Sequence, residues 1–201
     1  TVTLQLVANG DLELDQPVGR RLGQFLGVAV DGELAESITV RQLLSHTSGF
    51  GTYEDTFFGR GVETCRQAAV RGLTNGLQYA PGTTYHYSNM NYCVLGWLIE
   101  DVTGQPYEDA ARRLLLEPLG IGGMRLAGTF EKRPDEVVHP SFPGRNYMET
   151  LGPAGAWMGT AADVVTLLDS LDNTKPGFHP LPRPLTVLMR RPVKGIEYRA
   201  R

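Results

Sequence analysis

The segment from Tyr85 to Gly104, YHYSNMNYCVLGWLIEDVTG, constrains the fold of this chain more than any other. Apolar residues recur at helical spacing on one face, and further apolar residues fill the opposite face. The two sets are Tyr92, Leu95, Ile99 and Val102, and Val94, Trp97 and Leu98. A helix that is apolar all round is buried on most sides, so other elements must pack around it. The segment therefore predicts a central buried helix that ends at Gly104.

Shorter helical signals lie on both sides of this segment. Thr39 and Gln42 have the spacing of a capping box before a helix that stops at SHTSGFG, and Thr160 and Asp163 repeat the spacing. Apolar spacing predicts further helices at about residues 62–72, 106–118 and 164–171. Strand signals are weak throughout. The pattern indicates a mostly helical chain and not a complete two-layer domain.

The organisation predicted from these signals is one partial domain over residues 1–201, a length within the usual domain range. Its helical region runs over about 38–171. Within it, residues 120–157 are rich in Gly, Pro and aromatics and have little periodicity. Residues 172–201 form a proline-rich tail, in which LTVLMRR predicts a short helix.

Charge and hydropathy bear on the classes of partner. The net charge is −3 and the arginine pairs are scattered, so no basic face indicates nucleic acid. The chain has no apolar run of the roughly 18–20 residues that a membrane-spanning helix needs. It does not open with a signal peptide either, and the sequence predicts no localisation.

The cysteines and histidines do not predict a metal site. Cys65 and Cys93 lack ligand spacing and lie in helical patterns, so they are interpreted first as small core residues. A disulfide between them stays open. His139 and His179 lie in loops beside prolines, without the spacing of metal ligands. We expect neither a metal nor a cofactor.

The Tyr-Ser-Asn triplet before the central helix has two interpretations. Ser88 or Asn89 could accept hydrogen bonds from the free N–H groups of the first helical turn and act only as the N-cap. Alternatively, Tyr87 and Asn89 could form part of a chemical site. The triplet alone favours the cap, because caps are common and a three-residue match occurs easily by chance.

A longer comparison changes that balance. PGTTYHYSNMNYCVLGWLIEDVTG resembles the second motif of the class C β-lactamase superfamily, which includes D,D-peptidases and serine esterases. The matching residues are Pro81, Gly82, Tyr87, Asn89, Tyr92, Leu95 and Gly96. LQLVANGDLELDQPV, ITVRQLLSHTSGF and LGPAGAWMGTAADVVTLLDSL are similar to three further family segments, in the same order. The resemblance implies an α/β (α+β) β-lactamase-like fold, of which this chain is mostly the helical subdomain, with most of the antiparallel sheet missing.

The resemblance also implies a chemistry. In the family, the Ser of a Ser-x-x-Lys motif attacks an amide or ester carbonyl and forms an acyl-enzyme that water hydrolyses. By position, Tyr87 takes the role of general base or proton relay. Asn89 takes the role of the residue that hydrogen-bonds the substrate and helps to hold the lysine. The expected substrate is a small-molecule amide or ester: a β-lactam, a D-Ala-D-Ala peptide or an ester.

Two family motifs are absent from the sequence. No serine is followed three residues later by lysine; the nearest approach is Thr129 to Lys132, far from the family's nucleophile position. No Lys-Thr-Gly or His-Thr-Gly occurs. The segment Lys175 to Gly177 has a proline in place of the threonine and so lacks the threonine hydroxyl. The family places Ser-x-x-Lys ahead of the segment that begins this chain, and its last motif beyond the segment that ends it. We therefore expect an incomplete chain.

Physical chemistry argues that the triplet cannot act alone. A free tyrosine has a pKa of about 10, so its ionisation at neutrality requires about 4 kcal/mol of differential stabilisation. A helix N-terminus supplies only about 0.3–1 kcal/mol. The chain alone is therefore expected to be inactive.

Other interpretations stay open. One is a non-catalytic relative that serves as a binding or scaffolding module. Another is self-association through apolar helix faces left exposed by a missing sheet, such as that of Tyr92 to Val102. His46 is interpreted as a turn residue bonded to backbone. Trp157 and Tyr147 could line a groove or anchor a loop.

Overall fold

The computed structural model describes residues 1–53, 57, 64–129, 131, 133–137 and 147–193. In chain order the elements are helices α1 (Val2–Asn9), α2 (Gly19–Leu26), α3 (Gly32–Glu36), α4 (Val40–Leu44), α5 (Cys65–Thr74), α6 (Asn89–Thr103) and α7 (Tyr107–Ala111), strand β1 (Arg125–Leu126), helix α8 (Tyr147–Leu151), strand β2 (Trp157–Met158), and helices α9 (Ala161–Ser170) and α10 (Arg183–Met189). Helix α7 continues into a π-helical turn, Arg112–Leu116, and a 3-10 turn, Glu117–Leu119. A second 3-10 turn, Gly152–Ala154, follows α8.

Helix α6 is the central buried helix that the sequence predicts. It is contacted by α1, α2, α4, α5, α7 and the 3-10 turn Gly152–Ala154. Its buried side chains belong to one hydrophobic core cluster with residues of all these helices. The helix ends at Gly104, which has φ 64°, a conformation that glycine adopts without strain. Gly96 is required for packing, because a Cβ there would lie 2.3 Å from Cγ of Pro153.

The helix starts follow the predicted local chemistry. Thr39 with Gln42, and Thr160 with Asp163, form complete capping boxes at α4 and α9. A third box, which the sequence analysis did not identify, joins Thr64 and Gln67 at the start of α5. The predicted start of that helix at Val62 lies outside the described residues. The short helix predicted in the proline-rich tail is confirmed as α10.

Strand content is as low as predicted. Among the described residues the sheet has two short antiparallel strands, with Arg125 opposite Met158 and Leu126 opposite Trp157. An isolated bridge also joins Pro17 to Thr39. Helices α1, α2 and α3 lie before the predicted helical region, which begins at about residue 38, and were not predicted. In α2 the apolar pair Leu22 and Leu26 points into the core, but glycines between and beside them obscure the helical pattern.

The two cysteines form a disulfide. Cys65, at the start of α5, is bonded to Cys93 in α6, with a Cα–Cα distance of 5.5 Å. Both are buried, with exposed fractions of 5% and 0%, so the prediction that they are small core residues is confirmed as well. The disulfide ties α5 to the first part of α6, one helical turn after Asn89.

The expectation of an exposed apolar face on Tyr92 to Val102 is wrong. Neighbouring helices cover this part of α6, and its residues are buried or half-buried. Exposed apolar side chains lie elsewhere, for example Val165 and Leu168 on α9, which are 58% and 59% exposed. Self-association stays a prediction. In the described part of the chain, no helix has the length and apolar character that crossing a membrane requires.

Candidate active site

The triplet spans the junction between an extended segment and α6. The backbone of Ser88 is extended, with φ −149° and ψ 128°, so neighbouring side chains alternate in direction. Ser88 is buried, and its Oγ accepts a hydrogen bond from the backbone N–H of Met90 at 3.2 Å. Ser88 is therefore the N-cap, and the part of Tyr87 and Asn89 in a chemical site stays a prediction.

The cap does not use the other two residues. Tyr87 is 57% exposed, and its hydroxyl donates a hydrogen bond to Oδ1 of Asn89 at 3.0 Å. Asn89, the first residue of α6, is half-buried. The phenol is therefore open to solvent and held in position by the amide. Ser88 provides the cap of α6. The side chains of Tyr87 and Asn89 are therefore not needed for capping.

His46 lies directly beside Tyr87, a contact that no sequence pattern indicates. As predicted, it is a turn residue with backbone hydrogen bonds: it has φ 56°, and its carbonyl accepts a hydrogen bond from the N–H of His86 at 2.9 Å. Its ring centroid lies 4.7 Å from that of Tyr87 and 5.3 Å from that of Tyr92. In the sequence, only the glycine in SHTSGF indicates a turn near His46.

Burial controls the ionisation of the rings beneath Tyr87. It lowers the pKa of His46, because the protonated ring would lose its hydration. Burial also raises the pKa of Tyr92, and the neighbouring Tyr87 and Tyr85 add to the rise. The Tyr92 hydroxyl donates to the carbonyl of Leu44 at 3.3 Å. Both rings are therefore uncharged at neutral pH.

Acidification is expected to destabilise the chain through His46. Above about pH 6.5 the imidazole is neutral in the folded and unfolded states and contributes no pH dependence. Below this pH, the unfolded chain binds a proton that the folded chain does not. The free energy of unfolding therefore decreases as the pH is lowered, by at most about 1.4 kcal/mol per pH unit. Urea unfolding at neutral pH and at about pH 5.5 measures the slope.

The control for this effect is His46→Asn, because asparagine tolerates positive φ but does not titrate. Its stability should depend less steeply on pH than that of the unmodified chain. Equal slopes for the two proteins would contradict the assignment of this pH dependence to His46.

A cleft of about 890 Å³ opens next to this cluster. Its lining includes His46, Tyr85 and Tyr92, together with apolar side chains such as Leu95 and Ile99 of α6. Tyr87 and Asn89 are not among its lining residues, but the Tyr87 ring contacts His46, which is. Trp157 lines the cleft. Its Nε1 also donates a hydrogen bond to the Tyr107 hydroxyl at 3.1 Å, which anchors the segment around Trp157 to α7. The side chain of Tyr147 lies outside the described residues.

The remaining candidate residues have structural partners. Thr129 is buried, and its hydroxyl donates to the carboxylate of Glu149, while Lys132 lies outside the described residues. Lys175 forms an ion pair with Asp169 at 2.7 Å on the surface. His139 is not in the described part of the chain. Over the residues that the structure describes, no three His, Cys, Asp or Glu side chains are grouped as metal ligands would be.

Comparison with known proteins agrees with the resemblance. A family model described as Beta-lactamase matches residues 1–194. Penicillin-binding protein 4 of Amycolatopsis lactamdurans is 32% identical over 215 residues, which cover 97% of this chain and 54% of that protein. Esterase EstB of Burkholderia gladioli is 30% identical over 236 residues, which cover 96% of this chain and 58% of that protein. The chain thus spans a little over half the length of these relatives.

Solved structures show the same fold. A D-stereospecific amidohydrolase from Streptomyces sp. matches with a TM-score of 0.73 at 27% identity, over 92% of this chain and 60% of that one. The octameric penicillin-binding protein homologue from Pyrococcus abyssi matches with a TM-score of 0.69 at 21% identity, over 92% and 44% of the two chains, and supports the fold alone. The described part of this chain is mostly helical with a two-stranded sheet. The chain belongs to the beta-lactamase family.

Proposed function

We propose that this chain is the helical part of a serine hydrolase that cleaves an amide or ester through an acyl-enzyme. The observation that carries the proposal is the placement of Tyr87: an exposed phenol, hydrogen-bonded to Asn89, at the start of a buried helix and beside an open cleft. A group that only capped the helix would not need this exposure, and Ser88 already provides the cap.

In the proposed reaction, Tyr87 accepts the proton of the attacking serine hydroxyl and passes it to the leaving group. In the second step it accepts a proton from the water that attacks the acyl-enzyme and returns it to the serine oxygen. The side chain of Tyr87 is open to solvent and not enclosed by the core, so a segment that carries the serine and its lysine can reach the hydroxyl. Asn89 orients the phenol through its Oδ1, and its amide N–H groups are donors suited to a substrate carbonyl. Buried helix α6 holds both residues on a rigid support.

The nucleophile is proposed to come from residues outside this chain. No serine here is followed three residues later by lysine. The cleft of about 890 Å³ along α6 leaves room for a further segment to pack beside His46 and Tyr92. The names of the relatives, a penicillin-binding protein, an esterase and an amidohydrolase, include both amide and ester chemistry, so the proposal extends to that class of substrate and no further.

Covalent labelling tests the proposal. The 201-residue chain, incubated with a fluorescent penicillin or a fluorophosphonate, is expected to show no increase in intact mass, because it lacks the nucleophile. A longer chain that carries Ser-x-x-Lys ahead of Thr1 is expected to be acylated on that serine. Its Ser→Ala variant is the matched control and should stay unlabelled.

Two outcomes would contradict the proposal in different ways. A labelled 201-residue chain would show that a nucleophile lies within these residues. An unlabelled longer chain, folded and carrying the motif, would favour the non-catalytic alternative, in which the cleft serves for binding or scaffolding.

A further inference from the structure

We infer that His46 is a positioning residue for Tyr87: its neutral imidazole, fixed in one tautomer, forms the platform on which the phenol is oriented. The inference rests on the proposed function of Tyr87. The His46 ring contacts three tyrosines, with centroid distances of 6.1 Å to Tyr85, 4.7 Å to Tyr87 and 5.3 Å to Tyr92. It is therefore the shared neighbour of the exposed phenol and of the two other tyrosine rings, which line the cleft.

The backbone of His46 is fixed independently of its ring. The residue lies in the left-handed region, φ 56°, directly after α4. Its N–H donates to the carbonyl of Leu43 at 3.4 Å, and its carbonyl accepts from the N–H of His86 at 2.9 Å. The second bond connects the turn to the segment that contains Tyr87. The turn and the triplet thus hold each other in register.

The ring is fixed by a buried network that also fixes its tautomer. The Asn91 side chain is fully buried, and its Nδ2 lies 3.1 Å from both the Ser88 carbonyl and Nδ1 of His46. A carbonyl oxygen can only accept, so the NH₂ group of Asn91 must face Ser88, and the Oδ1 accepts from the Ser48 hydroxyl at 2.6 Å. The same NH₂ group donates to Nδ1. Nδ1 therefore accepts, and the imidazole proton lies on Nε2.

This arrangement excludes a role for His46 as general base. The lone pair of Nδ1 is occupied by the Asn91 amide and also accepts the backbone N–H of Ser88 at 3.4 Å, while Nε2 carries the proton. Protonation of Nδ1 would bring a third N–H against these two donors and break the network. Among the described residues, the titratable groups in ring contact with His46 are the three tyrosines. Arg41 of α4 lines the same cleft, but its guanidinium is paired with Asp15 at 2.7 Å.

Two measurements on the 201-residue chain test the inference by NMR. The ¹⁵N shifts of the His46 ring at neutral pH are expected to be those of the Nε2–H tautomer. With ¹³C-labelled tyrosine, the Tyr87 ring signal, assigned with Tyr87→Phe, is expected to show Overhauser contacts to His46 and to shift when His46 is protonated. Both features of the Tyr87 signal should be lost in His46→Asn, whereas His179→Asn, which changes a histidine outside the site, should keep them.

The outcomes are decisive in either direction. An Nδ1–H tautomer would overturn the inference without any variant, including the case in which His46→Asn does not fold. A folded His46→Asn protein with an unchanged Tyr87 signal would overturn it as well. Because neither measurement needs a nucleophile or a substrate, failure here is distinguishable from failure of the proposed hydrolase function, which covalent labelling tests.

Discussion

Replacing both Cys65 and Cys93 with alanine is expected to lower the free energy of unfolding by about 3.5 kcal/mol, since the disulfide restricts the unfolded chain across a separation of 28 residues. For a chain of 201 residues this corresponds to a decrease in melting temperature of roughly 10 °C. Urea unfolding and thermal melts under non-reducing conditions measure the loss. The effect is also local, because the bond anchors α6 one turn after Asn89.

The matched control is the same comparison in a strong reductant. There the unmodified chain loses its cross-link, so the two proteins should converge in stability. Alanine is the appropriate replacement, because a serine hydroxyl at position 93 could bond the Thr150 carbonyl, which already lies 3.3 Å from Sγ. Two free thiols in the non-reduced native chain, or equal stability without reductant, would contradict the prediction.

Local chemistry explains how much of the fold could be predicted from the sequence. Capping boxes act over four consecutive residues, so those of Thr39 and Thr160 can be identified without knowledge of the rest of the chain. The all-round apolar character of α6 likewise requires burial whatever packs against it. Gly96 is different, because a Cβ at this position would clash with Pro153, which is distant in the sequence. Only resemblance to relatives indicated its importance.

The candidate site shows the same division between local and distant information. The N-cap role of Ser88 was predictable, because its hydroxyl bonds an N–H two residues away. The contact of His46 with Tyr87 was not, because it joins residues more than forty positions apart through a turn that the sequence specifies only by its glycines. The network of Ser48, Asn91 and His46 was missed for the same reason. Asn91 is a polar residue in a mostly apolar helix, and the spacing of apolar residues does not indicate that a polar side chain is buried.

Tyr87→Phe is expected to slow acylation by about 10²–10⁴-fold in a longer chain that carries Ser-x-x-Lys, because positioned proton transfer contributes an effect of that size. Phenylalanine keeps the ring on His46 and removes only the hydroxyl that bonds Asn89. The free energy of unfolding should change by less than about 1 kcal/mol, because the hydroxyl is exposed. Acylation rates with a chromogenic ester and a chromogenic β-lactam measure the effect.

Tyr79→Phe is the matched control, since it removes a phenolic hydroxyl from a half-buried ring that contacts His86 outside the site. Its acylation rate should equal that of the unmodified protein. A loss in kcat with little change in KM for Tyr87→Phe would place the hydroxyl in the transition state and not in substrate binding. If acylation stayed unchanged in Tyr87→Phe, the exposed phenol would have no part in the chemistry, and Ser88 alone would account for the triplet as the cap of α6.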